Sequence, residues 1–396
     1  MGNNNKFVNA LLVSGAVVIG LYFYSNMDPG LPDEYRFGDH YWGGKKVKPG
    51  EAIPKDDESI RKFSISVPDA VLTDLKDRLS RVRYPAPSIA DTGFEYGFNT
   101  KALKQVIDYW SSKYDWRKHE KEINSFPHFK TQIEGIDIHY IHVKPSKPAK
   151  DVKPILLVHG WGSSVYDYLK VIPLLTSNSS VAFEVIIPSL PGHGWSETAH
   201  KPGLNVIHIA RIYAKLMTRL GHEYYIISGG DWGQPIGKAS AVLFPNRIIG
   251  FHATMPTAKI TLYSCVKVFF GMIFPGHVYD TAADVEKIHP IWDKITFLFK
   301  ETGYFHVQAT KPDTIGAALS DSPVGLAAWI LERYAIFTDE ENIKKDDISG
   351  LTKKFTMDQL LTNVMIYWVT NTASSSARIF KESFNYHVLY ELHFEK

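Results

Sequence analysis

Tyr224-Tyr225-Ile226-Ile227-Ser228-Gly229-Gly230-Asp231-Trp232-Gly233-Gln234-Pro235-Ile236-Gly237 is the stretch whose reading decides the fold. A short apolar strand runs into glycines, then a single acid, then a glycine that opens a helix. This is the spacing of a nucleophile elbow, small-x-nucleophile-x-small, with Asp where esterases carry Ser. Glycine at Gly229 and Gly233 lets the strand and helix backbones pass close together. The acid then stands at the carboxyl end of a strand and at a helix N-terminus, whose dipole favours its ionised form. Taken alone, the same residues also suit a plain Gly-Asp turn.

The flanking sequence narrows the choice. Residues 129–133 and 136–143 alternate in polarity and meet at Glu134-Gly135, a hairpin. Apolar strands follow at 155–158, 183–187, 224–228 and 248–253. Helices are expected at 166–175, 205–220 and 234–244. Strands alternating with helices imply an α/β architecture with a mostly parallel, doubly wound sheet and sites at the strands' carboxyl ends. Upstream, 68–83 and 100–113 read as amphipathic helices, and Tyr96, Phe98, Tyr109, Trp110, Tyr114 and Trp116 as core filling.

Composition excludes several functions. The 396 residues can bury a large core and leave room for appendages. Lys+Arg 44 against Asp+Glu 42 gives a net charge of +2, and no basic block invites nucleic acid. A single cysteine, Cys265, rules out an intrachain disulfide and fits a reducing, cytosolic side. No metal motif or phosphate loop is present, so no cofactor is expected. Residues 7–27 carry no charge and suit one membrane-spanning helix, an uncleaved anchor or a cleaved signal peptide. Residues 28–58, rich in Pro, Gly and charge, read as a stalk or surface meander.

Two strand ends carry His159-Gly160-Trp161-Gly162 and Pro191-Gly192-His193-Gly194. Together with Gly229-Gly230-Asp231-Trp232-Gly233 they make the chain resemble epoxide hydrolases of the microsomal, membrane-anchored type, on the α/β-hydrolase fold. Further matches are Tyr96-Gly97-Phe98-Asn99, Pro127-His128-Phe129-Lys130, Gly303-Tyr304, Lys311-Pro312-Asp313-Thr314, Asp321-Ser322-Pro323-Val324-Gly325 and Leu360-Leu361-Thr362-Asn363-Val364-Met365. The resemblance implies a domain order of 1–27 anchor, 28–126 N-terminal meander, 127–254 α/β core, 255–382 helical cap and 383–396 divergent tail. It also implies an endoplasmic-reticulum membrane location, with the catalytic part on the cytosolic side.

The implied chemistry hydrolyses an apolar epoxide to a vicinal diol. Asp231 attacks an epoxide carbon and forms an ester, which an activated water then hydrolyses. An ionised carboxylate needs no base for the first step. Tyr304 is the implied cap phenol that protonates the epoxide oxygen. The amides of Trp161 and Trp232 are the implied oxyanion donors. Substrate and water are the only partners expected besides the membrane.

Three departures from the family pattern stand out. Gly162 replaces a usual proline, so the oxyanion loop is expected to be looser. The second cap tyrosine aligns with Phe380, which lacks the hydroxyl. The sequence stops at Lys396, before the strands that carry the family's orienting acid and catalytic His, and the last core strand is expected to form an exposed edge. His387 and His393 in the tail are poor substitutes for that base. Turnover beyond the ester is therefore doubtful. Two other readings stay open: a non-catalytic, membrane-anchored binder on the same fold, and a haloalkane dehalogenase-like hydrolase in which Trp232 would suit a halide.

Overall fold

The computed structural model of the chain describes residues 40–384, apart from 49, 146, 179 and 257–261. The expected membrane helix at 7–27 and the tail histidines lie outside the described residues. Among the described residues, no single helix is long and apolar enough to cross a membrane. These residues form two compact units: 40–255 with 307–384, and 256–306.

The larger unit is built on a seven-stranded sheet of order β1-β2-β3-β5-β4-β6-β7. Its strands are β1 (Arg61–Phe63), β2 (His128–Ile133), β3 (Ile136–Val143), β4 (Asp151–Val158), β5 (Val181–Pro188), β6 (Tyr225–Gly229) and β7 (Ile248–Ala253). β4 pairs in parallel with both β5 and β6, and β6 with β7. The β2–β3 hairpin joins antiparallel, in the register Ile133↔Ile136. β7 ends the order, and Ile249 and Phe251 on it are exposed. β1 was not expected from the sequence. It is three residues long and carries no periodic signal.

β4 is buried on both faces, as its unbroken run Ile155-Leu156-Leu157-Val158 requires. Ile155 and Leu157 join a cluster with the helices Pro323–Thr338 and Met357–Val369. Leu156 and Val158 face the other way, toward Val206–Arg219 and Gly233–Leu243. The helix expected at 166–175 is broken in two, a 3₁₀ turn at Val165–Tyr168 and a short helix at Ile172–Thr176. Pro173 explains the break, because it suits a helix start and not an interior. Trp110 and Trp116 are core residues as expected, but Tyr96 is 75% exposed.

The hairpin turn anchors the back of the sheet. Glu134 sits at φ 53° and its carboxylate is buried. It accepts two bonds from Arg211, from Nε at 2.7 Å and from Nη2 at 2.8 Å. Trp42 Nε1 and Lys215 complete the shell. Burial raises the Glu134 pKa, but Arg211 and Lys215 outweigh it, so the carboxyl lies below its ordinary value. Its stabilising charge is therefore present at neutral pH and is lost only as acid reaches the depressed pKa.

Removing one partner of a fully buried pair strands the other charge. Arg211→Met should lose about 3–5 kcal/mol in urea unfolding at pH 7. Adding Glu134→Leu should recover much of that loss.

Candidate active site

β6 runs directly into the turn Gly230-Asp231-Trp232 and then into the helix Gly233–Leu243. Asp231 has φ 49°, a strained backbone for a residue with a Cβ. The turn is possible because a Cβ at Gly233 would run into the carbonyl of Val158 on β4. The strain lifts the Asp231 side chain above the sheet, and the residue is solvent-exposed.

Two amides meet its carboxylate. Trp161 N–H donates to Oδ1 at 2.7 Å from the loop after β4. Trp232 N–H donates from the first turn after the acid. Protein atoms packed around the carboxyl raise its pKa above the usual aspartate value, and the two amides offset part of that rise. The two oxyanion donors expected from the sequence therefore already converge on the expected nucleophile.

Gly162 does not leave this loop slack, contrary to expectation. Its N–H donates to Tyr367 Oη at 2.8 Å, and Tyr367 in turn donates to Ser163 O at 3.0 Å. Tyr334 Oη donates to Gly162 O at 3.2 Å. Asn363 Nδ2 donates to Tyr334 Oη and to Asp167 Oδ1, while Asn363 Oδ1 accepts from Ser164 Oγ. Burial holds the carboxyl of Asp167 and the phenols of Tyr334 and Tyr367 above their ordinary values, so both phenols stay protonated as donors. Gly162 itself has φ 77°, which proline's fixed φ cannot reach. The loop thus uses a glycine conformation locked by two tyrosines in place of a rigid ring.

Phe380 closes one side. Its ring stands edge-to-face against Trp161 at 5.6 Å and against Trp232 at 4.9 Å between centroids. The position aligned with the second cap tyrosine is therefore beside the oxyanion residues, with a hydrocarbon edge and no hydroxyl. Trp161 Nε1 is held by Ser376 Oγ at 3.2 Å, one turn earlier on the same helix, Ala373–Ser383.

His159 and His193 are structural. Leu190 N–H donates to His159 Nε2, so its Nδ1 carries the proton and donates to Gly160 O at 2.8 Å. Burial lowers the His159 pKa to about 4 and that of His193 to about 3. Both rings are neutral, and His159 ties the loop after β4 to the loop after β5. Tyr304 lies half-buried at the start of the helix Gly303–Thr310, in the smaller unit.

Tyr334, Asn363, Tyr367 and Asp167 were missed as site residues. Asn363 alone left a signal, a polar residue within the apolar run Leu360–Met365. The tyrosines look like core filling, and only the fold shows that their hydroxyls reach the oxyanion loop.

Known proteins resemble this chain in sequence and fold. Residues 60–168 match the family model "Epoxide hydrolase N terminus", and residues 153–371 match "alpha/beta hydrolase fold". Epoxide hydrolase 1 of Sus scrofa is 41% identical over 386 residues, spanning 96% of this chain and 84% of the relative. Juvenile hormone epoxide hydrolase 2 of Ctenocephalides felis is 42% identical over 376 residues, spanning 94% and 79%. The crystal structure of juvenile hormone epoxide hydrolase from the silkworm Bombyx mori superposes with a TM-score of 0.83 at 39% identity, covering 89% of this chain and 82% of that one. The Aspergillus niger epoxide hydrolase gives 0.68 at 26% identity, covering 83% and 80%. With an acid at the elbow, two amides on its carboxylate and this likeness along nearly its whole length, the chain belongs to the epoxide hydrolases, enzymes of the α/β-hydrolase fold.

Proposed function

We propose that the chain opens apolar epoxides through an ester on Asp231. The observation that carries this reading is the Asp231 carboxylate at the elbow, with Oδ1 held 2.7 Å from the Trp161 amide. Oδ2 attacks the less hindered epoxide carbon, and the carbon–oxygen bond of the ring breaks. The departing oxygen takes up one proton, supplied in the end by water. The products of this step are a hydroxyalkyl ester and an otherwise unchanged protein.

In the second step water adds to the ester carbonyl, and the amides of Trp161 and Trp232 stabilise the oxyanion. The acyl–oxygen bond then breaks and a vicinal diol leaves. This step needs a base held within hydrogen-bond reach of the water. His159 cannot supply it, since both its nitrogens are spent on backbone groups. Phe380, against both tryptophans, offers the epoxide oxygen no proton. Among the described residues, those around Asp231 support ester formation.

The apolar stretch 7–27 supports a single-pass anchor in the endoplasmic-reticulum membrane, with the catalytic part cytosolic. Juvenile hormone epoxide hydrolases among the relatives and the apolar face of Phe380 both favour a hydrophobic epoxide.

Intact-mass measurement after treatment with styrene oxide tests the chemistry. One added epoxide mass per chain is expected, absent in Asp231→Asn. No adduct together with no diol would overturn the reading. A carboxyl with a raised pKa loses its nucleophilic form at a higher pH than an ordinary aspartate. The adduct rate should therefore fall on acidification with a midpoint above pH ~4. Asp231→Asn should melt no lower than the parent at pH 7, because ionising a raised acid opposes folding above its unfolded pKa. Tyr367→Phe leaves the Gly162 N–H without its partner. Ester hydrolysis, or the adduct rate where hydrolysis is absent, should slow by about tenfold or more.

A further inference from the structure

A second cluster of chemically active side chains lies away from the elbow, on the hairpin side of the sheet. In the antiparallel pairing of β3 with β5, His142 stands opposite Ile186. Side chains alternate along a strand, so Glu184 points to the same face as Ile186 and is the diagonal neighbour of His142. Glu184 also pairs with Pro154, four residues before the end of β4, about 13 Å down the sheet from the strand ends that carry the site.

His222 reaches this face from the helix Val206–Arg219. That helix ends in a paired C-terminal turn. Gly221 adopts φ 85° and donates to Thr218 O at 2.9 Å, while His222 N–H reaches back to Met217 O at 2.8 Å. Arg247 Nη2 also donates to His222 O. The backbone of His222 is thus fixed just past the negative end of a helix dipole, a favourable place for a cation.

The three side chains converge. His142 Nε2 lies 2.6 Å from Glu184 Oε1, and His222 Nε2 lies 3.4 Å from the same oxygen. The three ligand atoms all fall within 4.8 Å of one another. Each side chain is about 15% exposed, so the group is shielded but reachable. The His222 contact lacks hydrogen-bond geometry, and its buried Nε2 has no hydrogen-bond partner. One carboxylate oxygen is serving two imidazoles and satisfies only one.

We propose that His142, Glu184 and His222 form a three-ligand site for a first-row divalent cation of the zinc type. Two imidazole nitrogens and a carboxylate oxygen are a donor set such ions take, with a fourth position open to water. The ion satisfies the stranded Nε2 and clips β3 and β5 to the end of the helix. Lys144 Nζ, 3.9 Å from Glu184 Oε1 on a side chain 75% exposed, swings away into solvent when the ion enters. Because the cluster sits below the strand ends, the bound ion acts on stability and not on the epoxide.

Chelator-stripped full-length protein titrated with Zn(II), and with Co(II) as a visible-absorption probe, tests the assignment. One equivalent per chain is expected, with Co(II) bands of tetrahedral or five-coordinate intensity and a rise in Tm on Zn(II) addition. His222→Ala and Glu184→Gln should each weaken binding by at least about tenfold and abolish the Tm rise. His222 lies in a surface turn, so its replacement reads the site even if a strand variant fails to fold. Asp231 adduct formation in His222→Ala should match the parent. No stoichiometric binding by the parent, or equal binding in both variants, would overturn the site.

Discussion

The bond from the Trp161 amide to Asp231 Oδ1 is the contact on which the rest of the site depends. It joins the loops that follow β4 and β6, which are hydrogen-bonded neighbours in the sheet. Parallel pairing brings their carboxyl ends level, Val158 opposite Gly229, so the two loops emerge side by side. A donor and an acid that lie 70 residues apart in sequence thereby meet at 2.7 Å. The strained φ of Asp231 is kept because Gly229 and Gly233 allow the crossing and because the carboxylate is caught by two amides.

That contact needs a rigid loop, and rigidity comes from the helices that pack over the sheet. Tyr334 and Tyr367 reach Gly162 from two different helices, and Asn363 ties Tyr334 to Asp167. Every hydroxyl in this network both donates and accepts, which is how a buried polar cluster avoids the penalty of unpaired groups. Hydrogen bonds replace the covalent stiffness of proline at this position. Phe380 adds a purely apolar wall against the same two tryptophans. The site is thus firm around the acid and poorer in proton donors than a site with two phenols.

Opposing effects set the chemistry of the carboxylate. Desolvation disfavours the ionised form, and the amides favour it, with desolvation ahead. A carboxylate that is partly destabilised in this way is a better nucleophile than one fully solvated, provided the pH stays above its pKa. The neutral, backbone-tied His159 and His193 show that histidines near strand ends are not all bases. Here His159 is a joint between the loops after β4 and β5, and His193 bonds a carbonyl within its own turn.

The sequence by itself determined the α/β architecture, the hairpin at Glu134-Gly135 and the strand-to-helix turn that carries Asp231, because each rests on local periodicity or on glycines that a tight turn demands. The family resemblance paired Trp161 with Trp232, whereas the place of Phe380 against both rings came only from the tertiary structure. Only the tertiary structure decided that Gly162 is clamped, that Tyr334 and Tyr367 serve the oxyanion loop, and that His142, Glu184 and His222 share a face. Those contacts join residues 38 to 205 positions apart, or pair through sheet register, and neither leaves a local pattern. A tyrosine in an apolar helix looks the same in sequence whether its hydroxyl meets a loop carbonyl or solvent, and packing alone tells the two apart.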